Sequence, residues 1–166
     1  MNYLKQIRFI MSLGLIIAMT SCSSDSSNGG STPTAGITCK VDGASVTATD
    51  IEASLYTNSV AGGRYIDVYA YQGSNQILEF HFPPKTGSYP ANQTMDMSNS
   101  WLTYMTNNGL SYPADYFNST SGTINVTTCD TVNNKIIATF NFIGDNGTLT
   151  KNITEGGINI SEITHQ

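Results

Sequence analysis

Apolar and polar residues alternate one by one through most of the chain after residue 36. The run Tyr65–Tyr71 carries an apolar residue at every second position, and the run Lys135–Ile143 repeats the pattern with Ile136, Ala138, Phe140 and Phe142. Successive side chains of a β-strand point to opposite faces, so a period of two is typical of half-buried strands. No window sustains a helical period. The pattern therefore predicts an all-β chain.

The alternating runs are short and are separated by turn sequences. Asp42-Gly43, Asp145-Asn146-Gly147 and Glu155-Gly156-Gly157 are predicted turns. Strands at a spacing of about 8–12 residues predict a single antiparallel meander of roughly nine strands, arranged as a β-barrel or a β-sandwich. This β-domain is assigned to residues 37–166. Its least regular section, Lys85 to Thr120, is either a functional loop region or a weakly patterned pair of strands.

Residues 1–21 have the pattern of a secretion signal. Lys5 and Arg8 precede an apolar run from Phe9 to Ala18, which is shorter than the roughly 20 residues that span a bilayer. The segment Ala18-Met19-Thr20-Ser21-Cys22 resembles a bacterial lipobox, and the resemblance implies cleavage before Cys22 and lipidation of that cysteine. The alternative is ordinary secretion with an unmodified Cys22.

Residues 22–36 are then the lipidated cysteine and a flexible tether. The segment after Cys22 is rich in Ser, Gly and Thr and has no large apolar side chain, a composition typical of flexible linkers. The expected location is the cell envelope, as an outer-membrane lipoprotein that faces either the periplasm or the cell surface. The expected membrane contact is the lipid itself, because two or three acyl chains give stable anchoring.

The charge of the chain excludes several classes of partner. Only 11% of the residues are charged and the formal net charge is −5; without Lys5 and Arg8 the net charge is −7. A nucleic-acid binder needs a basic surface, so nucleic acid is excluded as a partner. Ser, Thr and Asn together make up a third of the chain, which predicts an uncharged polar surface.

Three cysteines leave one pair after lipidation of Cys22. Cys39 and Cys129 lie in a chain predicted to be exported, where a disulfide is permitted. Cys39 shares a strand face with Ile37 and Val41, whereas Cys129 lies out of phase with Val126, which counts against the bond unless a bulge intervenes. The alternative is two separate thiols.

Six residues form a candidate ligand-facing surface on two neighbouring strands. They lie opposite the apolar stripe of their strands if the strands pair antiparallel, and they are Tyr65, Asp67, Tyr69, Tyr71, Glu79 and His81. Tyrosine offers an apolar ring and a polar hydroxyl, which suits amphipathic ligands such as sugars or peptides. The alternative is cross-strand packing of tyrosines that only stabilises the sheet.

Catalytic and cofactor signals are weak. The hydrolytic alternative would depend on His81 with Glu79 two residues before it, since His165 is the penultimate residue. No phosphate loop, nucleophile elbow or Cys-x-x-Cys motif is present. We therefore expect no catalytic residue, no metal site and no cofactor.

A second aromatic group lies in the irregular section. It consists of Trp101, Tyr104, Tyr112 and Tyr116, and it is predicted to be either a loop-borne recognition surface or a packed lid.

Several of these segments together resemble a family of uncharacterised envelope lipoproteins of the Bacteroidota. The resemblance lies in Val41-Asp42-Gly43, Gly87-Ser88-Tyr89, Ser121–Ile124, Lys135–Phe142 and Ile153–Ile158. It implies a small β-barrel or sandwich, lipocalin-like in some members, and it carries no catalytic residue. Asp130-Thr131-Val132 also resembles the O-glycosylation sequon of such envelope proteins, which implies a glycan on Thr131.

The sequence thus predicts a lipid-anchored envelope β-domain without catalytic activity. Its expected ligand is a glycan, a peptide or a small amphipathic molecule. The first alternative is a structural or adhesive envelope protein without a pocket, and the second is a minor hydrolase that uses His81.

Overall fold

A computed structural model of the chain describes residues 36–58, 63–92 and 99–166. These residues form eleven strands and a short 3₁₀ turn, Asn107–Gly109. The strands are β1 Gly36–Val41, β2 Ala44–Thr47, β3 Asp50–Asn58, β4 Gly63–Gln72, β5 Asn75–Phe82, β6 Gly87–Pro90, β7 Trp101–Met105, β8 Tyr116–Asp130, β9 Lys135–Asp145, β10 Thr150–Ile160 and β11 Thr164–His165. The prediction of an all-β chain is confirmed.

All eleven strands belong to one sheet. Their order is β11-β3-β4-β5-β7-β8-β9-β10-β1-β2, and β6 pairs with β8 beside this path. From β3 to β10 the neighbouring strands of this path pair antiparallel, with β6 off the path. However, β1 pairs with β10 at the far end, and β11 pairs with β3 in parallel. The sheet is therefore mixed, because the pairing of the chain ends is not encoded in local turns. It also has more strands than the predicted nine, so the nine-strand antiparallel meander is not confirmed.

The sheet curls into a half-barrel, and the connection from β2 to β3 contributes to the curl. Only Ala48 and Thr49 join these strands, which lie near opposite ends of the sheet. The amide of Ala48 donates to the carbonyl of Ile37 on β1 (2.9 Å), and the amide of Thr49 donates to the carbonyl of Tyr71 on β4 (2.7 Å). This short link brings the two ends of the sheet together.

The inward side chains of the curled sheet form the hydrophobic core. The apolar stripe predicted on β9 is buried: Ile136, Ala138, Phe140 and Phe142 are at most 3% exposed. Phe140 packs edge-on against Phe80 of β5, with ring centroids 4.8 Å apart and planes at 72°. Such aromatic pairs add to the free energy gained from burial, so β5 and β9 are held to each other across the interior.

The predicted turn at Glu155-Gly156-Gly157 is instead a bulge inside the continuous strand β10. The register with β9 jumps between Ile153 and Gly156, and Glu155 has φ of 52°. A Cβ at Gly156 would lie 2.5 Å from the ring of Phe140. The glycine thus leaves room for a core ring of the neighbouring strand, and a bulge accommodates the extra residue.

The irregular section Lys85 to Thr120 contains β6, β7 and the start of β8. The loop between β7 and β8 is organised by Asp115, which is 7% exposed. Its carboxylate accepts hydrogen bonds from the Thr106 hydroxyl (3.2 Å), the Asn107 side chain (3.0 Å) and the Ser111 amide (2.9 Å). The described residues of this section therefore belong mainly to strands, with an ordered loop between β7 and β8.

The disulfide between Cys39 and Cys129 is not formed, and both thiols are free. Cys39 lies on β1 and Cys129 on β8, with β9 and β10 between them in the sheet. Neighbouring strands lie about 4.8 Å apart, whereas a disulfide needs Cα atoms within about 7 Å. Burial raises the pKa of the Cys39 thiol to about 11, so it is an unreactive core residue.

The predicted signal segment, the lipidation site Cys22 and the tether up to residue 35 lie outside the described residues. Within the described ranges, no helix is long and apolar enough to cross a membrane.

Candidate functional site

The six predicted ligand-facing residues lie together on the outward face of β4 and β5. In the antiparallel register Asp67 lies opposite His81, and Tyr69 lies opposite Glu79. The residues between them on each strand, such as Val68 and Phe80, point into the core. Strand alternation therefore separates a polar aromatic surface from the core on the same two strands.

Residues of β3 and β7 extend this surface on both sides. Glu52 and Tyr56 of β3 lie opposite Tyr69 and Tyr65, and Trp101 of β7 lies opposite His81. We call this surface the tyrosine face, and its members are Glu52, Tyr56, Tyr65, Asp67, Tyr69, Tyr71, Glu79, His81 and Trp101.

A row of four rings crosses the tyrosine face from β3 to β7. The centroids of Tyr56 and Tyr65 are 5.2 Å apart, those of Tyr65 and His81 are 4.6 Å apart, and those of His81 and Trp101 are 3.7 Å apart. The His81 and Trp101 planes differ by only 5°. Each ring of the row thus covers a face of its neighbour.

His81 is held from three sides. Its ring lies between Tyr65 and Trp101, and Nδ1 donates a hydrogen bond to Oδ1 of Asp67 at 2.6 Å. The residue is 1% exposed. A buried imidazole that pairs with a carboxylate has a fixed orientation, so His81 positions Asp67 and the neighbouring rings.

Three carboxylates surround Tyr69, and each accepts a hydrogen bond from an aromatic side chain. Asp67 accepts from His81, Glu79 accepts from Trp101, and Glu52 accepts from the Tyr71 hydroxyl at 3.2 Å. These contacts fix the positions of the carboxylates relative to the Tyr69 ring.

The local electrostatics reflect this crowding of acids. Burial raises the pKa of Glu79, and the nearby Asp67 raises it further, although the hydrogen bond from Trp101 opposes the shift. Burial also raises the pKa of Tyr69, as do Asp67 and Glu79. Both shifts follow from a partly desolvated surface of negative potential.

The predicted grouping of Trp101 with Tyr104, Tyr112 and Tyr116 is wrong. Trp101 belongs to the tyrosine face, whereas Tyr104 points to the core side and lies 6.1 Å from Phe117. Tyr112 and Tyr116 pair at 5.4 Å near the β7–β8 loop. The sequence spacing predicts this difference, because Trp101 and Tyr104 are three positions apart and an odd separation places strand residues on opposite faces.

Tyr56 and Glu52 were missed, although the β3 sequence contained the necessary signal. They alternate with Ala53 and Leu55, which are buried. The same parity argument that selected Tyr65 would have selected them.

Thr131 lies in the turn between β8 and β9, as predicted. Oδ1 of Asp130 accepts hydrogen bonds from the amides of Val132 (3.0 Å) and Asn133 (2.9 Å), which shapes the turn. Thr131 is half-buried and the neighbouring Val132 is 88% exposed.

In the part of the chain that the structure describes, no group of three His, Cys, Asp or Glu side chains could hold a metal ion. The fold and the site together define an all-β domain built on one curled mixed sheet, with an acidic aromatic surface on its outward face. The sequence matches no protein-family model, no curated protein and no solved structure.

Proposed function

We propose that the chain is a lipid-anchored cell-envelope protein, similar to the Bacteroidota lipoproteins it resembles. Its β-domain binds a positively charged peptide on the tyrosine face and does not catalyse a reaction. The observation that carries this proposal is the arrangement of Glu52, Asp67 and Glu79 around the ring of Tyr69.

Charge complementarity favours a cationic ligand. The described outward positions of β3, β4 and β5 carry four carboxylates and neither lysine nor arginine; the acids are Asp50, Glu52, Asp67 and Glu79. A lysine or arginine side chain would pair with these carboxylates and lie against the Tyr69 ring, in a charge-assisted and cation–π contact. A cationic ligand would offset the electrostatic repulsion between these neighbouring carboxylates.

Ring geometry favours a peptide over a stacked sugar on this face. Sugars usually stack on exposed ring faces, but the rings of Tyr56, Tyr65, His81 and Trp101 cover one another. The ring faces inside the row are therefore closed to a stacking sugar, and the tyrosine hydroxyls suit the mixed polar and apolar surface of a peptide.

The burial of His81 supports a non-catalytic role. A general base must come within hydrogen-bond reach of the substrate. Both ring faces of His81 are covered by Tyr65 and Trp101, and Nδ1 is engaged by Asp67. These contacts suit a positioning residue.

The Glu79→Gln variant tests the proposal. We expect it to bind a lysine- and arginine-containing peptide about tenfold more weakly, since a hydrogen bond to a charged group contributes roughly 1.5–3 kcal/mol. Binding is followed by titration of the fluorescence of Trp101, the single tryptophan of the chain. The folded domain should become slightly more stable at neutral pH, because burial disfavours the ionised carboxylate of Glu79.

The matched control is Glu155→Gln on β10. Glu155 forms an exposed ion pair with Lys40 (2.8 Å) away from the face, so the same charge change should leave peptide binding unaltered. Equal binding by a peptide in which glutamine and citrulline replace the basic residues would refute the cationic ligand.

The structural or adhesive alternative is favoured by the ring row itself, because cross-strand aromatic contacts stabilise sheets. In that case Glu79→Gln would change neither peptide binding nor the fluorescence response. Binding of the same protein to a glycan on an array would instead favour the sugar ligand.

The lipid anchor is tested by Cys22→Ala. Loss of the acylated cysteine should move the protein from the membrane fraction to the soluble fraction, since the excess negative charge of the mature chain disfavours binding to anionic lipid. Fractionation with immunoblotting measures the change. Retention of the variant in the membrane fraction would contradict the anchor.

A further inference from the structure

A shallow groove of about 280 Å³ lies on the outward face of β8, β9 and β10, away from the tyrosine face. Its walls are the side chains of Ser121, Asn141, Ile143, Asn152 and Thr154. The floor is formed by Gly122 together with Phe142 and Ile153, whose side chains point into the core and are at most 2% exposed.

Two irregularities of the sheet coincide at this groove. The register of β8 on β9 shifts between Ser119 and Ser121, and the register of β10 on β9 shifts after Ile153. Bulges bend a strand and re-aim its side chains, and they are common beside binding sites. Gly122 adds to the depression because it has no side chain, and its φ of 134° favours glycine.

The chemistry of the walls is neutral throughout. The side-chain carboxamides of Asn141 and Asn152 are exposed and make no hydrogen bond to the described residues, and no wall residue is charged. A carboxamide both donates and accepts, so it can satisfy a ligand hydroxyl in either role. A charged ligand would lose hydration here without gaining a counter-charge.

Ile143 gives the groove an apolar ledge. It lies on one rung with Ser121 and Asn152, and it is 44% exposed. A ring with hydroxyls at its rim and C–H bonds on its face would match this ledge and its polar flanks. The volume lies just below the range of about 300–1,000 Å³ typical of drug-sized sites, so it fits a single ring.

We propose that this groove binds one ring of an uncharged, hydroxylated ligand, such as a neutral sugar unit. The site is separate from the tyrosine face and does not depend on the cationic peptide bound there. Its ligand class differs because its wall has amides and hydroxyls where the tyrosine face has carboxylates.

The test is a titration of the full, ¹⁵N-labelled chain with methyl glycosides of neutral hexoses, followed by NMR. We expect the side-chain amide signals of Asn141 and Asn152 to shift in a saturable manner, and Asn152→Ala to weaken binding about tenfold through loss of hydrogen bonds. Ser121→Trp should abolish binding by filling the groove.

The matched control is Asn125→Ala, which removes the same exposed amide from β8 outside the groove. It should leave the affinity unchanged. The proposal is overturned if no neutral glycoside shifts the two amides, if methyl glucuronate binds as tightly as its neutral counterpart, or if Asn125→Ala weakens binding as much as Asn152→Ala.

Discussion

Gly122→Ala should destabilise the domain by about 3 kcal/mol or more. A residue other than glycine at such a backbone conformation costs roughly 1–3 kcal/mol, and Gly122 has φ of 134°. In addition, the new Cβ would lie 2.2 Å from the carbonyl oxygen of Asn141 and 2.5 Å from Cα of Phe142. These are backbone atoms of β9 and cannot rotate away. The free energy of unfolding in urea measures the loss.

Gly147→Ala separates the two causes. Gly147 also has a positive φ, of 87°, but a Cβ there would have no atom within 4 Å. This control should therefore lose only the conformational part, about 1–2 kcal/mol. Equal losses in the two variants would show that the close approach of β8 and β9 at Gly122 has no energetic consequence.

His81→Ala should cost about 2–4 kcal/mol and weaken peptide binding. Removal of the ring leaves a cavity between Tyr65 and Trp101, and large-to-small changes at buried sites cost free energy in proportion to that cavity. The Asp67 carboxylate, whose side chain is only 16% exposed, also loses its partner. Trp101 fluorescence during denaturant unfolding reports the effect at the site itself.

His81→Phe separates packing from hydrogen bonding at the same position. The phenyl ring keeps the contacts with Tyr65 and Trp101 but leaves Asp67 without a donor, so about 1–2 kcal/mol should be lost. A double-mutant cycle with Asp67→Ala isolates the pair. A loss in His81→Phe as large as that in His81→Ala would indicate that ring packing at His81 contributes little.

These variants also distinguish two roles within the tyrosine face. His81 is expected to act on stability and binding together, because it positions Asp67 and the ring row. Glu79 is expected to favour binding but to lower stability, because its burial costs free energy in the unliganded domain. A side chain that is unfavourable for stability yet kept in place by Trp101 is typical of a functional residue.

Much of the tyrosine face follows from parity within single strands. Tyr65, Asp67, Tyr69 and Tyr71 alternate with Ile66, Val68 and Ala70, and this alternation alone places the two sets on opposite faces. Glu79 and His81 follow from the antiparallel pairing that a short β4–β5 turn enforces. The position of these residues on one face can therefore be predicted from the sequence.

Other parts of the site depend on contacts between segments far apart in the chain. Trp101 lies against His81 because β7 pairs directly with β5, although β6 lies between these two strands in the sequence. No local signal in the irregular section sets that register. Glu155 and Gly156 likewise resemble a turn in the sequence, but they form a bulge in β10. The reason for the glycine lies on β9, because the ring of Phe140 occupies the space that a Cβ at Gly156 would need.

The buried side of most strands follows from the amino-acid sequence alone, because the two-residue period of the backbone converts alternation directly into faces. Which faces meet depends on contacts in the folded sheet. These contacts separate Cys39 from Cys129 by two strands and enclose His81 between Tyr65 and Trp101. They also place the bulges of β8 and β10 beside one groove. Register and curvature are set by long-range packing and by the two-residue link between β2 and β3, and these are properties of the whole sheet.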